Sequence, residues 1–550
     1  MPFNRKISGL YNEFAVPFWI SISILVISGA VIYLPWISGG RELFRTESFY
    51  AVMAQELTNA AAIPTAHHVQ QVNGEIIFPA LAAFVRSVTG TAMENALRYV
   101  SLFMLITTAL ICGAGASGRS RQAGLVASAI YLTSVLAMEK GIEGYPTTTN
   151  AFFLLSAQLA FFYYGIRRAN WSLAWIFSTL LITLAFFSGG IRMLLFFIFP
   201  MFFFRRPLSV KSKFRTPGFV ISVLIASVAV AGQLLYFSIS TGKAPLSELL
   251  VASFNTSNYW EEFISYPLAL IARFLPWTAI MWLPFCVALQ SIAPSQIYSR
   301  YLRTLTLATM LLLWIIPDHD SRELIYLAGP LSIQTGMIYE LGMRRYGNRI
   351  RRFLVIGEVL FLCIIGAFAA VLFLPEDVIG SFISISSSIS FRNANNYNLV
   401  IVSALLSCMA LGVCFYLGRR NAPVWMLLMT LSVMYGIFSG SVIAPYQAQD
   451  QRKRTLGADI KTALAKENAT RIYKCDIRGF YGGLFYTDLP IYQLNSVSEL
   501  PEDATTVYLI STEFPQTADR SWSNLLPPNY TYQSQKIALW KGVLRETADY

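Results

Sequence analysis

The chain has 550 residues, 55% of them hydrophobic and only 13% charged, with a formal net charge of +12. Soluble domains carry roughly a quarter charged residues, so a soluble globular protein is excluded and lipid is the main solvent. The excess of Lys and Arg does not point to nucleic acid, because it sits in short hydrophilic gaps between alternate apolar runs, the pattern of a positive-inside membrane protein.

Apolar runs that long must be helical, since lipid offers no partner for an unpaired backbone group. Thirteen spans are predicted, at roughly 16–36, 95–115, 123–138, 148–166, 171–187, 190–204, 218–238, 266–290, 304–317, 324–341, 353–374, 399–417 and 424–443. The first run, from Pro17 to Trp36, is too long and lacks a small-residue cleavage site, so it reads as a retained span, not a signal peptide. Clusters such as Arg119/Arg121, Arg167/Arg168, Arg205–Arg215 and Arg344–Arg352 then share one side with Arg5/Lys6. That side is cytoplasmic, which puts the N-terminus inside and the acidic gaps outside.

The first outer loop, about 37–94, holds two amphipathic stretches, Glu47–Ala60 and Ile76–Val88. Both are expected to lie at the interface instead of crossing it. After Tyr446 the chain turns polar, and residues 447–550 are expected to form a small outer α/β domain, with a helix over Leu456–Glu467 and a strand at Thr505–Ser511. The fold class is therefore an α-helical integral membrane protein with a small C-terminal α/β domain. Five of the six cysteines lie in apolar runs and none is spaced for a metal site, so they read as small buried hydrophobes.

The chemistry is concentrated in the outer gaps. Glu47, with Arg45 two residues earlier, can serve as a base at the edge of a lipid-facing site; the competing reading is a solvated loop charge. Glu143 follows Lys140 and precedes Tyr145-Pro146, where an acid also suits a helix dipole. Arg273 falls near the outer end of an apolar run, where a charge needs a partner: a lipid phosphate, or Glu261 or Glu262. The segment from Pro317 to Pro330 packs Asp318, His319, Asp320, Arg322 and Glu323 between two spans. The planar fork of Arg322 suits a phosphate. Arg192, just after the Gly189-Gly190 turn, is a further phosphate candidate, or a snorkelling side chain. All three histidines, His67, His68 and His319, fall on the outer side. A divalent metal is left open, and none is required.

In order and sidedness these motifs resemble the GT-C polyprenyl-phosphate-dependent glycosyltransferases of the protein O-mannosyltransferase and lipid A aminoarabinose transferase type. The stretch Thr46-Glu47-Ser-Phe-Tyr50-Ala through Glu56 resembles the first-loop motif Asp-Glu-x-Arg-Tyr-Ala, and Glu143-Gly-Tyr-Pro146 the second-loop acid. Tyr259 to Arg273-Phe-Leu-Pro276-Trp277 resembles the stretch ending in Pro-Trp at the eighth span. Ser321-Arg322 through Tyr326 to Pro330 resembles the motif that opens the tenth. The chain departs from the pattern in four places. Thr46 stands where the family has its Asp, Phe78 precedes Pro79 where the family has Lys, Gly189-Gly190-Ile191 replaces Lys-Gly-Pro, and Arg322 replaces a Lys.

The resemblance implies an undecaprenyl-phosphate-linked sugar donor, a periplasmic lipid or glycan acceptor such as a lipid A-like molecule, and inverting transfer by a monomer in a bacterial inner membrane. It assigns Glu47 and Glu143 to catalysis, and Arg273, Arg322, Arg192 and Tyr326 to the lipid phosphate. Arg45, Tyr50, Lys140 and His319 stand around them. The readings to set against it are a flippase or transporter for a lipid-linked anion and a catalytically silent member of the same fold.

Overall fold

In a computed structural model of the chain, the residues described are 16–38, 42–43, 47–58, 75–118, 120–205, 210–241, 259–293, 295–316, 320–373, 423–440, 453–475, several between 405 and 415, and most of 481–544. The membrane part is helical. Helices α1 (Phe18–Ser38), α4 (Met93–Ala116), α5 (Arg121–Thr133), α6 (Val135–Lys140), α7 (Thr147–Ala160), α8 (Trp171–Gly189), α9 (Ile191–Ile198) and α10 (Pro217–Thr241) follow the first seven predicted spans. Between α1 and α4 lie α2 (Glu47–Thr58) and α3 (Ile77–Thr89), the two helices expected in the first loop. Thirteen residues of α3 rise only about 20 Å, short of the roughly 30 Å of a hydrocarbon core.

Among the described residues, three helices are by themselves long and apolar enough to cross a membrane: Met93–Ala116, Trp171–Gly189 and the Pro217–Leu235 part of α10. Two of the other predicted spans are broken, for identifiable reasons. The run expected over 123–138 divides at Ser134, whose backbone is extended and whose hydroxyl accepts the Ala137 N–H to start α6. The run expected over 266–290 becomes α11 (Tyr259–Arg273) and α12 (Thr278–Met281), bent by 106° around Phe274–Trp277. Pro276 lies in that bend and has no N–H to continue a helix.

Helix α13 (Gln296–Ile315) begins eight residues before the predicted 304. The spans expected at 324–341 and 353–374 are one continuous helix, α14 (Ile325–Phe373, 49 residues). Its basic middle, Gly342 to Arg352, contains no proline. Charge alone does not interrupt backbone hydrogen bonding, and Arg and Met are good helix formers. Helix α15 (Val424–Phe438) follows the last predicted span, and most of 399–417 lies outside the described residues. One large apolar core joins these helices, with Trp277, Trp425, Tyr131 and Tyr301 among its fully buried side chains.

The C-terminal part begins with α16 (Lys453–Lys466); the boundary expected at 446 lies outside the described residues. Strands β1 (Ile472–Lys474), β2 (Ile491–Gln493), β3 (Thr506–Ser511), β4 (Arg520–Asn524) and β7 (Ala538–Leu544) form a five-stranded sheet in the order β2-β1-β3-β7-β4. Strand β1 is parallel to β2 and β3, and β7 is antiparallel to β3 and β4. The short pair β5 (Thr531–Tyr532) and β6 (Gln535–Lys536) stands apart. Helix α16 packs its Leu456, Ile460 and Leu464 on Ile472, Ile491 and Ile510 of the sheet. Helix α17 (Tyr481–Thr487) packs against α2.

The C-terminal part is tied to the first loop by polar contacts. The Glu42 carboxylate accepts the backbone N–H groups of Lys453 and Arg454 at 3.1 Å each, capping the first turn of α16. Arg454 and Tyr486 both reach Glu94 at the start of α4. A helix cap contributes about 0.5–2 kcal/mol. Glu42→Ala is therefore expected to weaken this attachment by about 1 kcal/mol, measured as faster limited proteolysis of the C-terminal part while the helical core remains protected.

Candidate active site

The loop between α6 and α7, Gly141 to Pro146, carries the first candidate acid. Glu143 is 5% exposed, and its carboxylate is gripped from two sides. Lys140 Nζ lies 2.9 Å from Oε1 and Arg322 Nε 2.6 Å from Oε2. The Glu143 carbonyl accepts from Ser101 Oγ at 2.8 Å. Arg322 comes from the 3₁₀ turn Ser321–Leu324, which Asp320 caps by accepting the Arg322 N–H at 3.0 Å. Asp320 also pairs with Arg322 Nη1 at 3.0 Å. The guanidinium stands over the Tyr145 ring at 4.6 Å, so the fork that sequence assigned to phosphate is built into a dense, oriented cluster.

Glu47, the first residue of α2, is 1% exposed. Its Oε1 accepts the Gly144 N–H at 2.7 Å, and its Oε2 lies 3.5 Å from Arg98 Nη2. Arg98 in turn donates to the Glu42 carbonyl at 3.1 Å. The two acids singled out from the sequence thus meet: Glu47 holds the peptide that directly follows Glu143. Arg98 went unremarked in the sequence, although an arginine in the first turns of an apolar run carries the same signal that picked out Arg273.

Tyr50, one turn along α2 from Glu47, extends the cluster. Its ring meets Tyr145 edge-on at 5.1 Å and Phe78 at 5.7 Å, and its hydroxyl donates to Glu75 Oε2. Phe78 is fully buried among Leu43, Tyr50, Ala82 and Leu97, so the position that holds Lys in the resembling family here supports an apolar wall. Removal from water pushes the Glu75 carboxyl up to about 7; Tyr50 and Arg192 oppose the shift and Glu323 adds to it.

Arg192 enters from the first turn of α9 and lies 3.0 Å from Glu323 Oε1. The preceding Gly190 has φ +67°, a left-handed conformation that a side chain would strain. Tyr326, on the first turn of α14, accepts from Asn150 Nδ2 at 3.4 Å and packs against Phe196. Arg273 reaches the residue that precedes Lys140 in α6. It pairs with Glu139, whose other oxygen accepts from Tyr435 of α15. Arg273 thus has a carboxylate partner in Glu139, which its sequence neighbourhood, with Glu261 and Glu262, did not suggest.

Of the sequence candidates, Glu143, Lys140 and Arg322 are in direct contact. Glu47 joins them through Gly144, and Tyr50 through Tyr145. Arg192 and Tyr326 lie beside Glu323 and Asn150, and Arg273 forms a neighbouring cluster. Arg45, His67, His68 and His319 lie outside the described residues. Among the described residues no three His, Cys, Asp or Glu side chains are grouped as a metal site would require.

The broken helices, the short pair α2–α3 and the mixed sheet define an α-helical integral membrane protein with the GT-C type of fold. The chain is similar over nearly its whole length to ArnT from Cupriavidus metallidurans. With the crystal structure of ArnT bound to undecaprenyl phosphate the TM-score is 0.68 at 13% identity, covering 96% of this chain and 98% of that one. The apo structure of ArnT gives 0.65 at 13% identity, with 95% and 98% covered. The oligosaccharyltransferase of Archaeoglobus fulgidus, crystallised with Zn and sulfate, gives 0.38 at 13% identity over 62% of this chain and 51% of that one. No protein-family model and no curated protein matches the sequence.

Proposed function

We propose that the chain is a membrane glycosyltransferase that takes a sugar from an undecaprenyl-phosphate donor and passes it, with inversion, to a lipid or glycan acceptor at the periplasmic face of a bacterial inner membrane. The observation that carries this reading is the end-to-end likeness to a fold solved with undecaprenyl phosphate bound, in a chain whose polar side chains converge where helices break. The N-terminus is cytoplasmic in this reading, and the sheet of the C-terminal part lies on the side of the site.

The residues divide the work. As the sugar leaves, negative charge grows on the lipid phosphate, and fixed positive groups at that point supply a large share of the rate. Arg322, oriented by Glu143, Asp320 and the face of Tyr145, is placed for that task. Arg192 and Arg273, each paired with one or more carboxylates at a more accessible position, would approach the same phosphate, with Tyr326 beside them. Glu143 acts by holding Arg322. Glu47 acts one step back as a positioning residue that fixes the Glu143 loop through Gly144.

The test is direct. Purified protein in lipid nanodiscs is given labelled undecaprenyl-phosphate-linked pentoses and hexoses with lipid A and membrane glycans. Transfer of label from at least one donor is expected. No transfer from any donor, together with movement of the intact donor across a sealed vesicle, would establish the flippase reading in its place.

A further inference from the structure

We infer that Glu75 is the general base of this site and that the acceptor it serves is a hydroxyl group. The inference rests on the glycosyltransferase reading above and adds to it the proton acceptor and the chemical class of the acceptor. Glu47, Glu143 and Glu75 are carboxylates on or beside the first two loops, and their surroundings differ. Glu47 is bound by a peptide N–H and Arg98, and Glu143 by Lys140 and Arg322, both with almost no exposed surface. Neither carboxylate leaves an acceptor hydroxyl room to reach an oxygen that is not already engaged. Glu75 keeps part of its surface open, and its described side-chain hydrogen bond comes from the neutral hydroxyl of Tyr50.

The backbone places Glu75 securely. It is the last residue before the turn into α3, and the next residue, Ile76, donates its N–H to the Phe187 carbonyl of α8 at 2.9 Å. Among the described residues, the charged and titratable groups around it are Tyr50 from α2, Tyr145 from the loop before α7, Arg192 from α9, Glu323 from the turn before α14 and Tyr326 from its first turn. Tyr145 joins this group to Arg322 through its ring. Glu75 therefore sits beside the cationic cluster without being neutralised by it. It is the arrangement a base needs when the proton it takes and the phosphate that leaves belong to one reaction.

Its protonation range matches the task. A base is most effective when its pKa lies near the working pH, and burial has moved this carboxyl to about 7. The step balances simply. The acceptor O–H gives its proton to the Glu75 carboxylate as its oxygen bonds to the anomeric carbon. The bond from that carbon to the phosphate oxygen breaks, and its electron pair leaves on the lipid phosphate. A phosphate acceptor is already ionised at neutral pH and has no need of a base, whereas a hydroxyl has. A base held at this place in the site therefore points to a hydroxyl acceptor.

The experiment uses the full chain in nanodiscs, with undecaprenyl-phosphate-linked pentoses and hexoses as donors. Lipid A, the same lipid A stripped of its phosphates, and water are the acceptors, water being read as released sugar. Wild type is expected to transfer to the dephosphorylated lipid or to water, with a rate that rises with pH through about 7, because the ionised carboxylate is the working form. Glu75→Gln should lower that rate about 10²–10⁴-fold while undecaprenyl phosphate still binds, and Glu75→Asp should restore part of it. Tyr50→Phe removes a hydrogen bond that favours ionised Glu75, so the rise should move to higher pH. Transfer confined to the phosphate-bearing lipid, or transfer that survives Glu75→Gln, overturns the inference and leaves the transferase reading standing. Wild type inactive with every donor overturns both.

Discussion

Replacing Arg322 with Ala is expected to lower transfer from the lipid donor by about 10²–10³-fold, the usual cost of losing one preorganised donor to developing charge, and to destabilise the protein as well. The Arg322–Glu143 pair is almost fully buried. Removing one member of a buried pair costs about 3–5 kcal/mol because the other charge is stranded. Here Lys140 stays 2.9 Å from Glu143, so the loss should fall at the lower end, about 3 kcal/mol, measured by thermal unfolding in detergent. The double variant Arg322→Ala/Glu143→Ala separates the two effects. Stability should partly return, because the almost fully buried pair is gone and only the more exposed Lys140 and Asp320 lose a partner, and activity should not, because the group proposed to face the phosphate is still missing. Activity that returned together with stability would show that Arg322 acts only by holding the loop.

That expectation rests on a contact only partly legible in the sequence. Glu143 and Arg322 could each be singled out, because acids and arginines at the ends of apolar runs are costly to place there without a use. Their 179-residue separation hid the pairing, since no local pattern encodes a contact of that range. Arg273 shows the same limit: its need for a partner could be read, but the sequence neighbours Glu261 and Glu262 were the natural candidates and Glu139 is a partner in space. Glu75 was one outer acid among many. What sets it apart is the Tyr50 hydroxyl, 25 residues away, and a position half withdrawn from water. Hydropathy found most helices because it reads where lipid lies. It divided α14 in two because the basic stretch Gly342–Arg352 marks the end of an apolar run without marking the end of a helix. The sheet order escaped entirely, since β1 is flanked by β2 and β3 through crossovers whose pairing depends on distant residues.

Glu47 gives the second large effect, and its two substitutions should behave very differently. Glu47→Ala strands Arg98, which is 3% exposed, and releases the Gly144 N–H from its acceptor. The expected cost is again about 3–5 kcal/mol, enough to unfold many marginally stable proteins. Glu47→Gln keeps a carbonyl oxygen for Gly144 and a dipole for Arg98, so it should hold the loop and lose less stability. The two roles open to Glu47 then separate on activity. As the proton acceptor that the family resemblance implies, it would lose about 10²–10⁴-fold in transfer on becoming Gln. As a residue that positions Glu143 through Gly144, it should retain transfer to within about tenfold, leave the pH profile where Glu75 sets it, and show its loss chiefly in the Ala variant. The second outcome is expected here, because the Glu47 carboxylate is 1% exposed and already faces a peptide N–H and a buried guanidinium, which leaves an acceptor hydroxyl little access. Thr46 sharpens the point: with no acid at the position where the resembling family has one, a structural role for the neighbouring Glu47 agrees with the proposal that Glu75 is the base.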